Sequence, residues 1–209
     1  MSVWLALLIS VVVSYLLGNI NGSVLISRLH EHDDVRLHGS GNAGFTNFFR
    51  NYGGVISLLV MLVDLLKAVA ACLVSGFLLK PFGLYMEGQM LGGIGVTLGH
   101  NFPALLGFRG GKGIVCSLAV AIVLDWRIAV IIVGVFLILY FATHYVSLGS
   151  IVAAISYTVC FVLMHKNRPW VAAGGAFLGL LALYMHRANI VRLFQGKESK
   201  VNFFGRKQP

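Results

Sequence analysis

Gly54-Val-Ile-Ser-Leu-Leu-Val-Met-Leu-Val-Asp-Leu-Leu-Lys-Ala-Val-Ala-Ala-Cys-Leu-Val-Ser-Gly-Phe-Leu-Leu79 contains only two ionisable charges, Asp64 and Lys67, and stops at Lys80-Pro81. About 20 apolar residues cross the hydrocarbon core of a bilayer, so this stretch reads as a membrane span. The rest of the chain agrees. Its 209 residues are 58% hydrophobic and 11% charged, where a soluble domain carries about 25% charge. Mean hydropathy is +0.86. The fold class expected is all-α: a polytopic membrane protein forming one domain over residues 1–209, with some short or broken helices.

Working outward gives seven segments: Val3–Ser27, Gly54–Leu79, Glu87–Leu106, Ile114–Leu124, Ile128–Tyr145, Ser150–Met164 and Trp170–Met185. The first is unusually polar at Gly18-Asn-Ile-Asn-Gly22. The third contains Pro103 and should break near its end. Met1-Ser-Val-Trp lacks a basic leader region, so the first segment reads as a retained helix. Val146-Ser-Leu-Gly-Ser150 reads as the turn between the fifth and sixth segments.

Lys and Arg are distributed unevenly. Arg28, Arg36, Arg50, Arg109, Lys112, Arg187, Arg192, Lys197, Lys200, Arg206 and Lys207 fall on one side of the expected bundle. Lys80, Arg127, Lys166 and Arg168 fall on the other. The richer side is cytoplasmic by the positive-inside rule, giving the N-terminus outside and the C-terminus inside. The net charge of +9 is explained in the same way, and no nucleic-acid recognition module is present.

Three polar clusters fall on that cytoplasmic side. Gly39-Ser-Gly-Asn-Ala-Gly44 precedes Phe45-Thr-Asn-Phe-Phe-Arg50 and reads either as an anion-binding glycine loop before a helix or as a simple turn. Gly99-His-Asn-Phe-Pro103 leads into Phe108-Arg-Gly-Gly-Lys-Gly113, whose glycines and Lys112 suit phosphate oxygens although the string is not a Walker A loop. His186-Arg-Ala-Asn-Ile-Val-Arg192 places His186 and Asn189 at helical spacing. Asp64 and Lys67 read first as a mutual ion pair and second as a group coupled to the site. Cys72, Cys116 and Cys160 read as buried apolar side chains. His30, Glu31, His32, Asp33, Asp34 and His38 lack metal-ligand spacing and read as a solvated loop, so no metal is expected.

These strings in this order resemble the bacterial acyl-phosphate:glycerol-3-phosphate acyltransferase family (PlsY), across essentially the whole chain. The resemblance implies a seven-span enzyme of the bacterial cytoplasmic (inner) membrane with its site on the cytoplasmic side. It implies transfer of a fatty acyl group from acyl-phosphate to the 1-hydroxyl of sn-glycerol 3-phosphate, giving lysophosphatidic acid and phosphate. No cofactor, nucleic acid or obligatory protein partner is expected beyond the two substrates and membrane lipid. Lys112, His186 and Asn189 are the catalytic candidates. Gly39, Ser40, Gly41, Asn42, Thr46 and Asn47 are assigned to acyl-phosphate, and Arg50, Lys112, Ser150, His186 and Asn189 to glycerol 3-phosphate. His100, Gly110, Gly111, Gly113 and Glu198 are supporting residues. Three local departures are Gly-Asn-Ile-Asn in the first span where Gly-Ser-Ile-Pro is expected, Phe45 in place of a small residue, and Ile114-Val-Cys116. None of the seven histidines has Asp after four intervening residues, and no Gly-x-Ser-x-Gly elbow is present. The competing reading is a transporter of an organic phosphate, but no internal repeat supports it.

Overall fold

The computed structural model describes residues 1–203. Among these there are ten α-helices and no strand. Arg206 and Lys207, counted above on the basic side, lie outside the described residues.

Most helix ends follow directly from local chemistry. The Ser2 side chain caps α1 (Val3–Asn19), accepting from Leu5 N at 3.3 Å. The chain pauses at Ile20-Asn21 and resumes as α2 (Gly22–His30), capped by Asn21. α3 covers Phe45–Asn51, and α4 runs Ile56–Leu79 up to the Lys80-Pro81 stop. α5 (Tyr85–Asn101) ends ahead of Pro103, as the steric restriction before proline requires. α6 (Ile114–Leu124) is short. It stops at Asp125, whose carboxylate caps α7 (Trp126–Thr143) by accepting from Arg127 N at 3.2 Å. α8 is Val146–Met164, and Pro169 opens α9 (Pro169–Met185) at the position where its missing N–H costs nothing. α10 (Arg187–Phe194) bends away from α9 by 54°.

Two expectations need correction. Val146-Ser-Leu-Gly-Ser150 is not a turn but the first turn of α8; the reversal happens earlier, at His144, which takes the left-handed conformation with φ 59°. Gly149 is small because of packing: a Cβ there would lie 2.9 Å from the Phe136 ring. Nor is the His30–His38 stretch simply solvated. Asp34 pairs with Arg28 and Arg36, while His38 and the Tyr52 hydroxyl both reach Asp33. Hydrogen bonding to Arg36, with help from Arg28, holds the Asp34 carboxyl well below the usual range.

Among the described residues, four helical stretches are long and apolar enough to cross a membrane: Val3–His30, Ile56–Phe82, Trp126–Thr143 and Val146–Met164. The α9–α10 pair reaches that length and hydropathy only when the two helices are counted together across their bend. α5, with 17 residues, and α6, with 11, are shorter than a standard span.

Close packing explains the composition of α5. A Cβ on Gly92 would fall 2.3 Å from Ala71 O of α4, and one on Gly99 would fall 2.1 Å from Tyr15 O of α1. On a third face, Gly93 meets Val120 of α6. Without a strong hydrophobic drive inside lipid, small residues let backbones approach and gain dispersion contacts. α5 is therefore a wedge whose three faces are cut to backbone thickness. Asp64 and Lys67 are buried beside it, paired at 2.7 Å, and Lys67 also donates to Ile20 O at 2.6 Å. Lys67 thus satisfies a carbonyl exposed where α1 stops.

Candidate active site

α3, the glycine-rich segment before α6, the start of α8 and the α9–α10 bend converge on one cleft of about 280 Å³. Ser40, Asn42, Thr46, Asn47 and Arg50 line it from the first polar cluster, Lys112 and Gly113 from the second, and His186, Asn189 and Glu198 from the third. Ser150 enters from α8 and His100 from α5. Gly39, Gly41, Gly110 and Gly111 are not on its wall.

Those four glycines have other physical reasons. Gly39 and Gly41 adopt φ of 57° and 68°, which side chains with a Cβ rarely take. A Cβ on Gly110 would sit 2.0 Å from His100 O, and one on Gly111 would sit 2.1 Å from His100 Nε2. The segment therefore lies flat on the end of α5. Asn47 is similarly committed: its Oδ1 accepts from Ser40 N at 3.0 Å and its Nδ2 donates to the carbonyls of Val35 and His38. Its amide holds the shape of the first loop.

The polar side chains form a short network. Lys112 Nζ donates to Asn189 Oδ1, and Asn189 Nδ2 donates to Glu198 Oε1 at 2.8 Å. Arg192 Nε donates to the other Glu198 oxygen at 2.7 Å. Arg50 donates to Ser199 O at 2.8 Å, tying α3 to the chain after α10. His186 sits in the bend and its Nδ1 lies 2.8 Å from Ala182 O. A carbonyl only accepts, so the ring proton is on Nδ1 and Nε2 is left as an acceptor.

Burial governs the charges here. It pushes the Lys112 ammonium down to about 8, with Arg192 and Arg50 adding repulsion and Glu198 opposing. Burial also lowers Arg50. For Glu198 burial works upward, but hydrogen bonds from Arg192 and Asn189 overcome it and leave a lowered carboxyl. Three cations thus face Glu198, while Asp64, which also lines the cleft, is balanced by Lys67, leaving an excess of positive charge suited to an anion.

Three polar lining residues were not among the candidates, Asp64, Arg192 and Ser147. Arg192 and Ser147 each lie one helical turn from a residue that was, Asn189 and Ser150 respectively. Below the polar mouth the wall becomes apolar, built by Val115 and Leu118 of α6 and Ile132, Val133 and Phe136 of α7. Nothing in the residues marked these as cleft rather than lipid-facing. Among the described residues no group of three His, Cys, Asp or Glu side chains is placed to hold a metal ion.

A sequence profile for the family described as glycerol-3-phosphate acyltransferase matches residues 8–196. The chain belongs to that family. A glycerol-3-phosphate acyltransferase of Clostridioides difficile is 40% identical over 195 residues, covering 93% of this chain and 95% of that protein. The crystal structure of PlsY (YgiH), described as an integral membrane glycerol 3-phosphate acyltransferase, superposes in its glycerol 3-phosphate form with a TM-score of 0.85 at 34% identity, covering 94% of this chain and 96% of the other. Its lysophosphatidic acid form gives 0.82 at 32% identity with the same coverage. This family member, with its long apolar helices, is a multi-pass membrane protein.

Proposed function

We propose that the protein moves a fatty acyl group from acyl-phosphate to the 1-hydroxyl of sn-glycerol 3-phosphate, releasing lysophosphatidic acid and inorganic phosphate. One observation carries this reading. A single cleft joins the cations Arg50, Lys112 and Arg192 to an apolar wall that includes Val115, Leu118 and Val133. Both substrates bring phosphate to the cationic end, and only the donor brings a hydrocarbon chain. Its PlsY relatives were solved in glycerol 3-phosphate and lysophosphatidic acid forms, and the latter is the expected product.

In this reading the glycerol hydroxyl oxygen attacks the acyl carbonyl carbon while the carbon–oxygen bond to phosphate breaks. Phosphate leaves and accepts the hydroxyl proton, so catalysis is substrate-assisted. Lys112 stabilises charge developing on the leaving group, and His186 Nε2 accepts from the 2-hydroxyl of glycerol 3-phosphate, which orients the acceptor and leaves the 1-hydroxyl proton to the phosphate. Asn189 steers Lys112, and Glu198 steers Asn189. Ser40, Asn42 and Thr46 receive the acyl-phosphate headgroup in a loop shaped by Gly39, Gly41 and Asn47. Arg50 and Ser150 join Lys112, His186 and Asn189 around glycerol 3-phosphate. Gly110, Gly111 and Gly113 let Lys112 approach over His100. The reaction uses no cofactor and no obligatory protein partner.

Residues 1–209 act as one domain in the bacterial cytoplasmic membrane. Seven segments enter the bilayer, with α1–α2 as one and α5 and α6 as shortened members, the N-terminus outside and the cleft cytoplasmic. The excess of Lys and Arg on the cleft side supports that orientation. The three exposed tryptophans, Trp4, Trp126 and Trp170, open α1, α7 and α9, which supports placing those three helix starts at one shared interface. The test is purified protein in detergent given acyl-phosphate and glycerol 3-phosphate. Phosphate release matched by lysophosphatidic acid is expected. Uptake of an organic phosphate into liposomes without product would replace the enzyme with a transporter.

A further inference from the structure

Asn21, in the break between α1 and α2, is 2% exposed and uses both ends of its amide. Its Oδ1 accepts from Val24 N at 3.0 Å, capping α2, while its Nδ2 donates to Ala43 O at 3.0 Å. Ala43 N in turn donates to Gly110 O at 3.3 Å. One side chain therefore ties the helix break to the first glycine segment, and that segment is tied to the second.

The return path runs through Lys67. Its ammonium donates to Ile20 O at 2.6 Å, to Asp64 Oδ1 at 2.7 Å and to His100 Nδ1 at 2.9 Å. An ammonium has no lone pair, so His100 Nδ1 accepts and the ring proton sits on Nε2. The same histidine receives Gly111 N on its carbonyl at 3.1 Å. Asp64 balances the buried cation and also accepts from Gly22 N at 3.1 Å. These links close a ring: Ile20–Asn21, Ala43, Gly110–Gly111, His100, Lys67 and back to Ile20. Lys112 is the next residue after the ring.

We propose that this ring is a positioning device, in which Asn21 and Lys67 fix the spacing of the two glycine segments and so hold Lys112 in register with Asn189. The inference rests on the acyl-transfer reading above. Glycine segments left to themselves sample the widest backbone freedom, and a reacting group displaced by about 1 Å can lose about 100-fold in rate. Buried hydrogen bonds in a low-dielectric interior are strong enough to remove that freedom. Asn21 and Lys67 themselves are positioning residues, since neither lines the cleft.

Asn21 gives a clean test, because Ser and Asp cap helices about as well as Asn but differ toward Ala43 O. Serine is too short to reach that carbonyl. Aspartate offers it an acceptor in place of a donor. Acyl transfer by Asn21→Ser should fall about tenfold in kcat and by Asn21→Asp about 100-fold, with KM for glycerol 3-phosphate shifted less than about threefold. The unfolding midpoint of Asn21→Ser should stay within about 3 °C of the parent. Equal kcat in all three proteins would reduce Asn21 to a helix cap and overturn the proposal. So would a fall in kcat of Asn21→Ser that only tracks lost folded protein. An unsubstituted protein that releases no phosphate from acyl-phosphate would instead defeat the acyl-transfer reading, leaving the two failures distinct.

Discussion

Replacing Lys112 by alanine removes the one ammonium that Asn189 holds at the cleft mouth, and acyl transfer should fall at least about 100-fold, read as phosphate release by purified protein. Its charge also sets a pH limit. Burial depresses this ammonium to about 8 in the unliganded protein, and a bound phosphate raises it again. Anion capture is therefore full below pH 8 and is lost as pH rises through that value. A pH profile of kcat/KM should show its alkaline limb there, since that ratio reports the free enzyme. In Lys112→Arg the limb should move up by more than about 2 units, whatever the absolute rate, because a guanidinium stays charged. Residues of this kind were legible without coordinates. A cation, a histidine or an asparagine stands out in a chain this apolar, as Arg50, Lys112, His186 and Asn189 do. What could not be read was which polar atoms are already occupied. Asn47 resembles a ligand contact in the sequence, yet its amide is consumed by Ser40, Val35 and His38. Asn21 resembled a local departure, because its partner is a backbone carbonyl 22 positions away.

Among the helices, α5 shows how a glycine can be read from its neighbours rather than from its own flexibility. Gly99 has the α1 backbone where its Cβ would be, whereas Gly134 on α7 has nothing within 4 Å. Gly99→Ala should therefore destabilise by about 1–3 kcal/mol through overpacking. Gly134→Ala should stabilise by about 0.5–1 kcal/mol through reduced backbone entropy. Thermal unfolding in one detergent checks both, and equal midpoints would remove the argument for close α1–α5 packing. Helix boundaries set by Pro81, Pro103 and Pro169 were legible because proline acts locally. The start of α8 was not, because Gly149 is small for the sake of Phe136, a residue of the preceding helix.

For the whole molecule, the orientation can be checked directly. In a background with Cys72, Cys116 and Cys160 replaced, a cysteine at Lys166 should react with a membrane-impermeant thiol reagent on intact cells. One at Lys197 should react only after permeabilisation, and the reverse pattern would invert the protein. The brevity of α6 has a consequence of its own. Eleven residues of helix rise about 16 Å, roughly half of a 30 Å hydrocarbon layer. In the proposed topology, with Asp125 at one end of α6 and Lys112 just before the other, the cleft would sit within the bilayer's thickness rather than above it. Under the proposed reaction, the two products then part company by solubility. Phosphate returns upward to water, while the new lipid has its tail in oil already. The substrates divide in the same way, acyl-phosphate in the lipid and glycerol 3-phosphate in the water, so a cleft at that depth serves both phases at once without any molecule having to change phase.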